Sequence, residues 1–512
     1  MKNKLTLLVL VLITSLASAQ TFVPDSTFNS TGKKIFNFYN NIDRSYGSLQ
    51  QADGKIVIVG LSEVLSTNSF ELCFARFNIN GAIDNTFGLN GVTKVSMGNQ
   101  GSIGGQTPVV KQDAFGRFVA INCYGSGGLD MMVCRLDSSG NIDNTFNNTG
   151  KLTIDMTGTG SQPDMANAFD FDAEGNIYIA GATRTGGSPF DNDIAIIKVN
   201  TSGHLATSFD TDGKKLFNPS GMAEFGRAIK VQSDGKIVFG ATSGGKMFVG
   251  RIDSTGAYDP TFNSTGYKQL TIASSTDLYC LSIDDLGRIV VAGTSSYTAA
   301  AIARLLPNGT LDPAFGTGGY RIYSVAGLTT TVTGLQLMSN GKIVFGGSVT
   351  NTSSGMNFYA ARLDSTGTVD LSFNTTGYFQ TAMGAGSQDD EANNLLVLSD
   401  GRIFINGTTI VSSAINEDIS MLLLKPQNTS SGINHVDVNT IQTLYPNPAN
   451  ASIAVNCNKE LILEIINVEG KTVLQQIVKM GITTINIKLL SEGIYFVREQ
   501  GSINSIRFIK VN

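Results

Sequence analysis

The stretch RIDSTGAYDPTFNSTGYKQL, residues 251–270, decides the fold of this chain because the chain writes it more than once. RLDSTGTVDLSFNTTGYFQT begins at Arg362, and RLDSSGNIDNTFNNTGKLTI begins at Arg135. Asp, Asn, Ser and Gly crowd the middle of each copy, and these residues adopt turn conformations readily. The Phe of the phrase recurs as Phe28, Phe87, Phe146, Phe209, Phe262, Phe315 and Phe373, at spacings of 59, 59, 63, 53, 53 and 58 residues. A turn glycine ahead of an apolar run, as in DGKIVIVG, recurs as Gly54, Gly116, Gly175, Gly235, Gly287, Gly341 and Gly401. A basic residue closing a short apolar segment recurs as Arg76, Arg135, Lys198, Arg251, Arg304, Arg362 and Lys425. Three markers that each count seven specify a fold built from seven repeats.

Each repeat resolves into four short strands. GVTKVS, TPVVKQ, RFVAINCY and MMVCRLD follow one another with turn residues between them. β-Branched and aromatic residues dominate these runs, and none has a helical period. Four antiparallel strands repeated at this interval describe the blades of a β-propeller. A β-solenoid would use shorter coils and would need no closure.

Closure is legible at the two ends of the repeat array. With strands lettered A to D from the axis outward, FN-x-TG precedes strand D and the turn glycine lies between A and B. The segment DSTFNSTGKKIFNF, residues 25–38, is a strand D with no A, B or C of its own. The array ends on GRIFINGT and DISMLLLK, which supply B and C without D. Residues 33–38 are therefore expected beside residues 421–424, so that an N-terminal strand closes a seven-bladed ring and covers an exposed edge.

An Asp stands three residues before the Phe in six of the seven copies: Asp25, Asp84, Asp143, Asp259, Asp312 and Asp370, with Ala206 breaking the series. Each Asp is expected to bond turn amides or to pair with the basic residue at the end of strand C. Arg76, Arg135, Arg251, Arg304 and Arg362 are the partners, for instance Arg135 with Asp143 or Asp137. The DSSGNID run from Asp137 faintly resembles an oxygen-rich calcium loop, but an EF-hand needs more carboxylates and a bidentate Glu. No cofactor is expected; calcium at these Asp residues is the exception the pattern allows. The repeat LDxxGxxDxTFNxTG followed by DGKIVxxG resembles the delta-60 repeat family, a β-propeller domain of unknown function, over roughly residues 21–427. That resemblance implies a fold and no activity.

The ends of the chain read as addresses. MKNKLTLLVLVLITSLASAQ has a basic start, an apolar run too short to span a bilayer comfortably and a small-residue cleavage pattern at residues 17–19. A signal peptide over residues 1–19 is expected, leaving an exported, soluble chain from Gln20, with the propeller at 20–427. A polar linker follows at 428–443, and residues 444–512 alternate as a small β-sandwich. Pro446 and Pro448 forbid a central strand at its start. Tyr445, Pro446, Asn447 and Pro448, the GKTV run from Gly470, the GIYFV run with Gly493 and Tyr495, and the terminal FIKVN resemble the type A sorting domain of type IX secretion. The resemblance implies the type IX machinery as partner, passage across the outer membrane, removal of the tail, and release or attachment through lipopolysaccharide. The expected location is the cell surface or the extracellular space, reached through the periplasm.

Composition narrows the function. Charged residues are 15% of the chain and the net charge is −5, with no basic stripe of the kind a nucleic-acid backbone demands. No later segment is long and apolar enough to cross a membrane. Five cysteines cannot all pair, and Cys123 and Cys134 read as free buried thiols rather than as a bridge across a hairpin. The chain has two histidines, His204 in a C–D loop and His435 in the linker, so a His-based triad or His-rich metal site is poorly supported. Asp389, Asp390 and Glu391 are the densest acid cluster, and adjacent acids of this kind read as a solvated loop.

The two faces of the disc differ. A–B turns and C–D loops recur almost by formula, whereas D–A and B–C loops such as SEVLSTNSFE, MGNQGSIGGQ, RTGGSPFDND and VTNTSSGMN do not. Variable loops over a rigid scaffold are where binding tends to lie. One regularity survives there, an acid ten or eleven residues before the turn glycine: Asp43, Asp164, Glu224, Asp277 and Asp390. These acids either cap the D–A loops or form an acidic ring suited to cations or basic ligands. The expected protein is an exported propeller that binds an unidentified glycan or protein. A carbohydrate-active hydrolase or lyase using top-face carboxylates is the alternative, and a structural surface-coat component is a third.

Overall fold

In the computed structural model the chain is all-β, with no helix among the described residues. These are residues 20–38, 42–67, 69–97, 107–125, 129–158, 162–186, 191–351, 355–384, 388–411, 417–427, 441–468, 470–500 and 506–511. The expected signal peptide, His435 and nearly all of the linker fall outside them. The chain divides into two units, residues 1–429 and 430–512.

The described residues of the first unit form seven antiparallel sheets. The first consists, in order, of Asp43–Gln50, Ile56–Val64, Ser69–Phe77 and Val92–Ser96. The next five open with Val109–Gln112, Asp164–Phe171, Glu224–Val231, Thr276–Ile283 and Thr329–Thr330, and the seventh with Asp390–Val397. The inner strands pack against one another from sheet to sheet, Gly334–Leu337 taking this place in the sixth, and the seventh packs against the first. Second and third strands such as Ile56–Val64 are apolar and buried on both faces, because a sheet lies on either side of them. In the seventh sheet, Glu417–Gln427 pairs with two N-terminal strands: Lys33–Phe36 beside residues 419–422, and Thr21–Pro24 beside residues 424–427.

The repeated phrase is the joint between sheets. Asn263 and Ser264 both have positive φ (47° and 58°), the tight-turn geometry that Asn tolerates, and Asn263 Nδ2 donates to the Tyr267 carbonyl at 2.8 Å. Arg251 Nε donates to Asp259 Oδ2 at 2.7 Å, its Nη2 to Thr261 Oγ1 at 3.0 Å, and its Nη1 to the Pro307 carbonyl of the next sheet at 2.7 Å. The guanidinium carbon also lies 4.8–4.9 Å from the centroid of the phrase's own ring at Arg76–Phe87, Arg251–Phe262 and Arg362–Phe373, and 4.7 Å at Arg135–Phe146 and Arg304–Phe315. The same 2.7 Å ion pair joins Arg76 to Asp84, Arg135 to Asp143, Arg304 to Asp312 and Arg362 to Asp370. Lys55, Lys236 and Lys342, from the DGK and NGK turns, add a second cation at 2.8–3.0 Å on Asp84, Asp259 and Asp370.

A main-chain hydrogen bond crosses each joint just after the Phe. Asn29, Gly88, Asn147, Asp210, Asn263 and Gly316 donate to the carbonyls of Asn80, Ser139, Ser202, Thr255, Asn308 and Thr366. Asn374 donates to Gln20, at the start of the N-terminal segment. Gly140 shows why the loop at this contact carries glycine: φ is +87°, and a Cβ would sit 2.6 Å from the Phe87 ring.

Two joints depart from the pattern. In the third sheet Ala206 leaves no carboxylate, and Lys198 replaces the arginine, reaching 3.7 Å to Asp172 and standing over the Tyr178 ring. In the seventh, Phe404 pairs with Leu423 as Val57 pairs with Arg76, so Leu423 occupies the arginine position and Lys425 lies two residues beyond it. Lys425 at 2.9 Å and Arg402 at 3.0 Å both pair with Asp25 instead.

The described residues of the second unit form two sheets. Ile441–Tyr445, Ser452–Cys457 and Gly481–Asn486 form one; Thr472–Val478, Leu461–Asn467, Gly493–Glu499 and Ile506–Lys510 form the other. Ile453, Val455, Leu463, Ile465, Val497 and Phe508 fill the space between them. Tyr445 is exposed, Pro446 and Pro448 follow cis peptide bonds, and Asn447 clamps the last strand through Ile509 N–H at 2.9 Å and the Arg507 carbonyl at 3.1 Å. Gly470 makes the turn closed by its N–H on the Asn467 carbonyl. Gly493 opens the strand that carries Tyr495, whose ring stacks on Phe508 and whose hydroxyl donates to the Ser491 carbonyl at 3.0 Å.

Candidate functional site

The inner strands set the geometry of the centre. In the first, third, fourth, fifth and seventh sheets the inner strand carries a register shift, between residues 45/47, 166/168, 226/228, 278/280 and 392/394. The shift drives a carbonyl toward strand B, where the last glycine of DGKIVxxG makes room for it. A Cβ on Gly60, Gly181, Gly293 or Gly407 would lie 1.9–2.1 Å from the carbonyl oxygen of residue 44, 165, 277 or 391. The bulge also turns the lower half of each inner strand over, so simple alternation does not identify the inward-facing residues.

Four of the five acids on the variable face are wholly enclosed at the head of the inner strand. Asp43, Asp164 and Glu224 are 0% exposed and Asp390 is 1% exposed. Asp43, Asp164 and Asp390 each accept the N–H of the D–A loop, from Phe38, Met156 and Met383, at 2.7 Å. Glu224 accepts the Ser220 N–H at the same distance. Strand B returns a hydroxyl to each, from Ser62, Thr183, Ser243 and Thr409. Burial raises the Asp164 carboxyl to about 6, against the Met156 and Thr183 hydrogen bonds and with help from Asp155 and Asp130. Asp277 is not the fifth member: Thr276 pairs with Ser295 as Asp43 pairs with Ser62, and Asp277 sits one residue further on. Its spacing of ten rather than eleven residues to the turn glycine was the available signal. The structure brings these acids together as loop caps in separate sheets, not as an open ring of five.

Asp389 accepts the Met356 N–H at 2.9 Å, and Glu391 is exposed beside it. His204 is exposed on its C–D turn, its N–H donating to Asn200 Oδ1 at 3.1 Å. Cys123 and Cys134 are buried and form no disulfide; their strand partners are Met131 and Ala120, so they do not face one another. Burial pushes the two thiols up to about 11 and about 12.

The inner strands also hold polar groups that sequence reasoning missed. Arg44 makes a two-point ion pair with Glu417. Arg227 lies between the Phe225 ring at 5.0 Å and the Tyr279 ring at 5.7 Å. Lys111 pairs with Asp170 at 2.5 Å, with Lys230 4.0 Å from the same oxygen. Burial outweighs Asp170 and lowers Lys111 to about 8. A cleft of about 520 Å³ opens beside Asp170 and Lys230, reaching Ser282 and Asp284 at the A–B turns. Asp170, Arg227 and Lys230 lie in or beyond the bulges of their strands, which no local pattern announces.

A chain of small antiparallel sheets joined by one repeated polar phrase, followed by a β-sandwich, is a β-propeller protein with an appended domain. Residues 51–87, 287–315 and 339–373 match the β-propeller domain of unknown function DUF5122. Residues 443–510 match the secretion system C-terminal sorting domain, which directs the chain through the periplasm to the cell surface or the extracellular space by type IX export. No curated protein matches the chain.

Among solved structures, a catalytically inactive virginiamycin B lyase from Staphylococcus aureus with quinupristin is similar at 12% identity and a TM-score of 0.44, over 77% of this chain and 99% of that one. A protein of unknown function from Dyadobacter fermentans is similar at 11% identity and a TM-score of 0.40, over 77% and 98%. PorZ, a surface component of the type IX secretion system of Porphyromonas gingivalis, is similar at 12% identity and a TM-score of 0.24, over 91% and 81%. These likenesses carry no argument about what this chain binds or does.

Proposed function

We propose that the exported chain is a seven-bladed propeller, latched by its N-terminal segment, that binds a glycan or protein through the loops of one face. The observation that carries this reading is the contrast between the faces. One is held by the Arg–Asp–Phe joint, repeated with few changes from sheet to sheet. The other has B–C and D–A loops without a common sequence, and uniform packing does not account for their differences. Support for the latch comes from Phe22 and Phe28, both buried, and from the Asp25 ion pairs to Arg402 and Lys425.

Binding is favoured over glycan cleavage because Asp43, Asp164 and Asp390 each commit both oxygens to a loop amide and a strand hydroxyl, and Glu224 commits one. A hydrolase would need two carboxylates free to face a glycosidic bond. The test is a screen of the secreted chain against glycan arrays and envelope or host proteins, followed by exchange of B–C loops between sheets. Binding that disappears with B–C exchange and survives C–D loop exchange supports the assignment. Binding that follows the C–D loops, or cleavage of an arrayed glycan, overturns it.

A further inference from the structure

The two clefts that flank the third sheet each bring carboxylates of neighbouring sheets together. Three positions meet there: the head of strand C, the exit of strand D and the head of the next strand A. In the cleft before the third sheet these are Asp130, Asp155 and Asp164, and one oxygen from each lies within 4.8 Å of the others. Asp130 Oδ1 is sealed from solvent and receives no hydrogen bond. In the cleft after it the same positions are Asp193, Asn218 and Glu224. Glu224 is 0% exposed and Asp193 8% exposed, and Glu224 Oε2 and Asp193 Oδ1 are both enclosed without a hydrogen-bond partner. At the joint between the seventh and first sheets the corresponding residues are Asp418, Asn37 and Asp43, and the Asn37 amide donates to Asp418 Oδ1 at 2.5 Å.

We propose that each cleft beside the third sheet binds a calcium-type divalent cation, held by Asp130, Asp155 and Asp164 in one and by Asp193 and Glu224 in the other. Enclosed carboxylate oxygens without donors are strongly disfavoured unless a positive charge compensates them. Two oxygens at calcium distances of about 2.3–2.6 Å can be no more than roughly 5 Å apart, which the 4.8 Å limit of the first cleft meets. The donor set is oxygen only, which suits a hard cation rather than zinc or copper. The ion would tie strand C of one sheet to strand A of the next on the variable face, opposite the Arg–Asp–Phe joint. It would do so on both sides of the sheet whose own joint is weakened by Ala206 and Lys198.

The test is native mass spectrometry and thermal melting of the full mature chain at pH 7.5, stripped with a chelator and titrated with calcium chloride. Two calcium ions per chain are expected, with a melting temperature that rises with the logarithm of calcium concentration. Asp155→Asn places at this position the residue that stands at 37 and 218 and should leave one ion; Glu224→Gln should remove the other. Should either variant fail to fold, the wild-type stoichiometry and calcium-dependent melting decide. No retained calcium, an ion count unchanged in both variants, or binding only at millimolar concentration overturns the proposal. So does a melting temperature that rises on acidification and ignores calcium, because the clefts then hold shared protons.

Discussion

Replacing Phe28 by Ala asks whether the N-terminal segment belongs to the fold or merely lies against it. Phe28 is 0% exposed and packs edge-on to Phe404 at a centroid distance of 6.2 Å, in a core that includes Ile56, Phe77 and Leu423. Its ring edge meets Gly81 of the first sheet, and the neighbouring Asn29 N–H donates to the Asn80 carbonyl. Truncating a fully buried Phe costs about 3–5 kcal/mol, with the spread set by how far the site collapses. Phe262→Ala, in the same phrase within a continuous chain, supplies the internal standard. If residues 20–38 close the seventh sheet, the two variants should lower propeller stability by similar amounts, measured by circular dichroism in a urea titration of the mature chain. A Phe28→Ala loss below about 1 kcal/mol beside a full loss for Phe262→Ala would refute the latch, because an undocked segment has no burial to lose.

The same seam should be acid-sensitive. Burial alone would raise the Asp25 and Asp370 carboxyls, but the cations and turn amides around them outweigh it and hold both near about 2. A carboxyl depressed in the folded state stabilises above its unfolded value of about 4 and loses that contribution as pH falls toward about 2. Melting temperature should therefore fall across that window, and Asp25→Asn should flatten part of the fall; an unchanged slope counts against the ion pairs. In the third sheet, Lys198→Arg with Ala206→Asp should restore the joint, with a coupling of about 1–3 kcal/mol in a double-mutant cycle. Additive single effects would show that the missing pair is not what sets that joint apart. In a host with type IX export, deleting residues 444–512 should leave the propeller in the periplasm on fractionation, and surface display without the tail would contradict the assigned route.

Local signals were enough for the class of fold and for the export route. A turn needs Asn, Asp or Gly at fixed positions, and a strand between two sheets needs an apolar run, so each repeat leaves Phe, Gly and basic markers in place. The β-sandwich tail was legible for the same reason, through Tyr445–Pro448 and the strands after Gly470 and Gly493. Assigning Lys425 to the arginine series relied on a spacing that the seventh sheet does not keep, since its strand C is paired with a segment from the other end of the chain. Grouping Asp277 with Asp43 failed by one residue, and a one-residue shift in a strand sends a side chain to the opposite face. The aim of Asp170 and Arg227, and the meeting of Asp130, Asp155 and Asp164, were decided only by tertiary structure. A bulge fixes the first and the packing of separate sheets fixes the second, and both depend on which distant segments pair rather than on any residue's immediate neighbours.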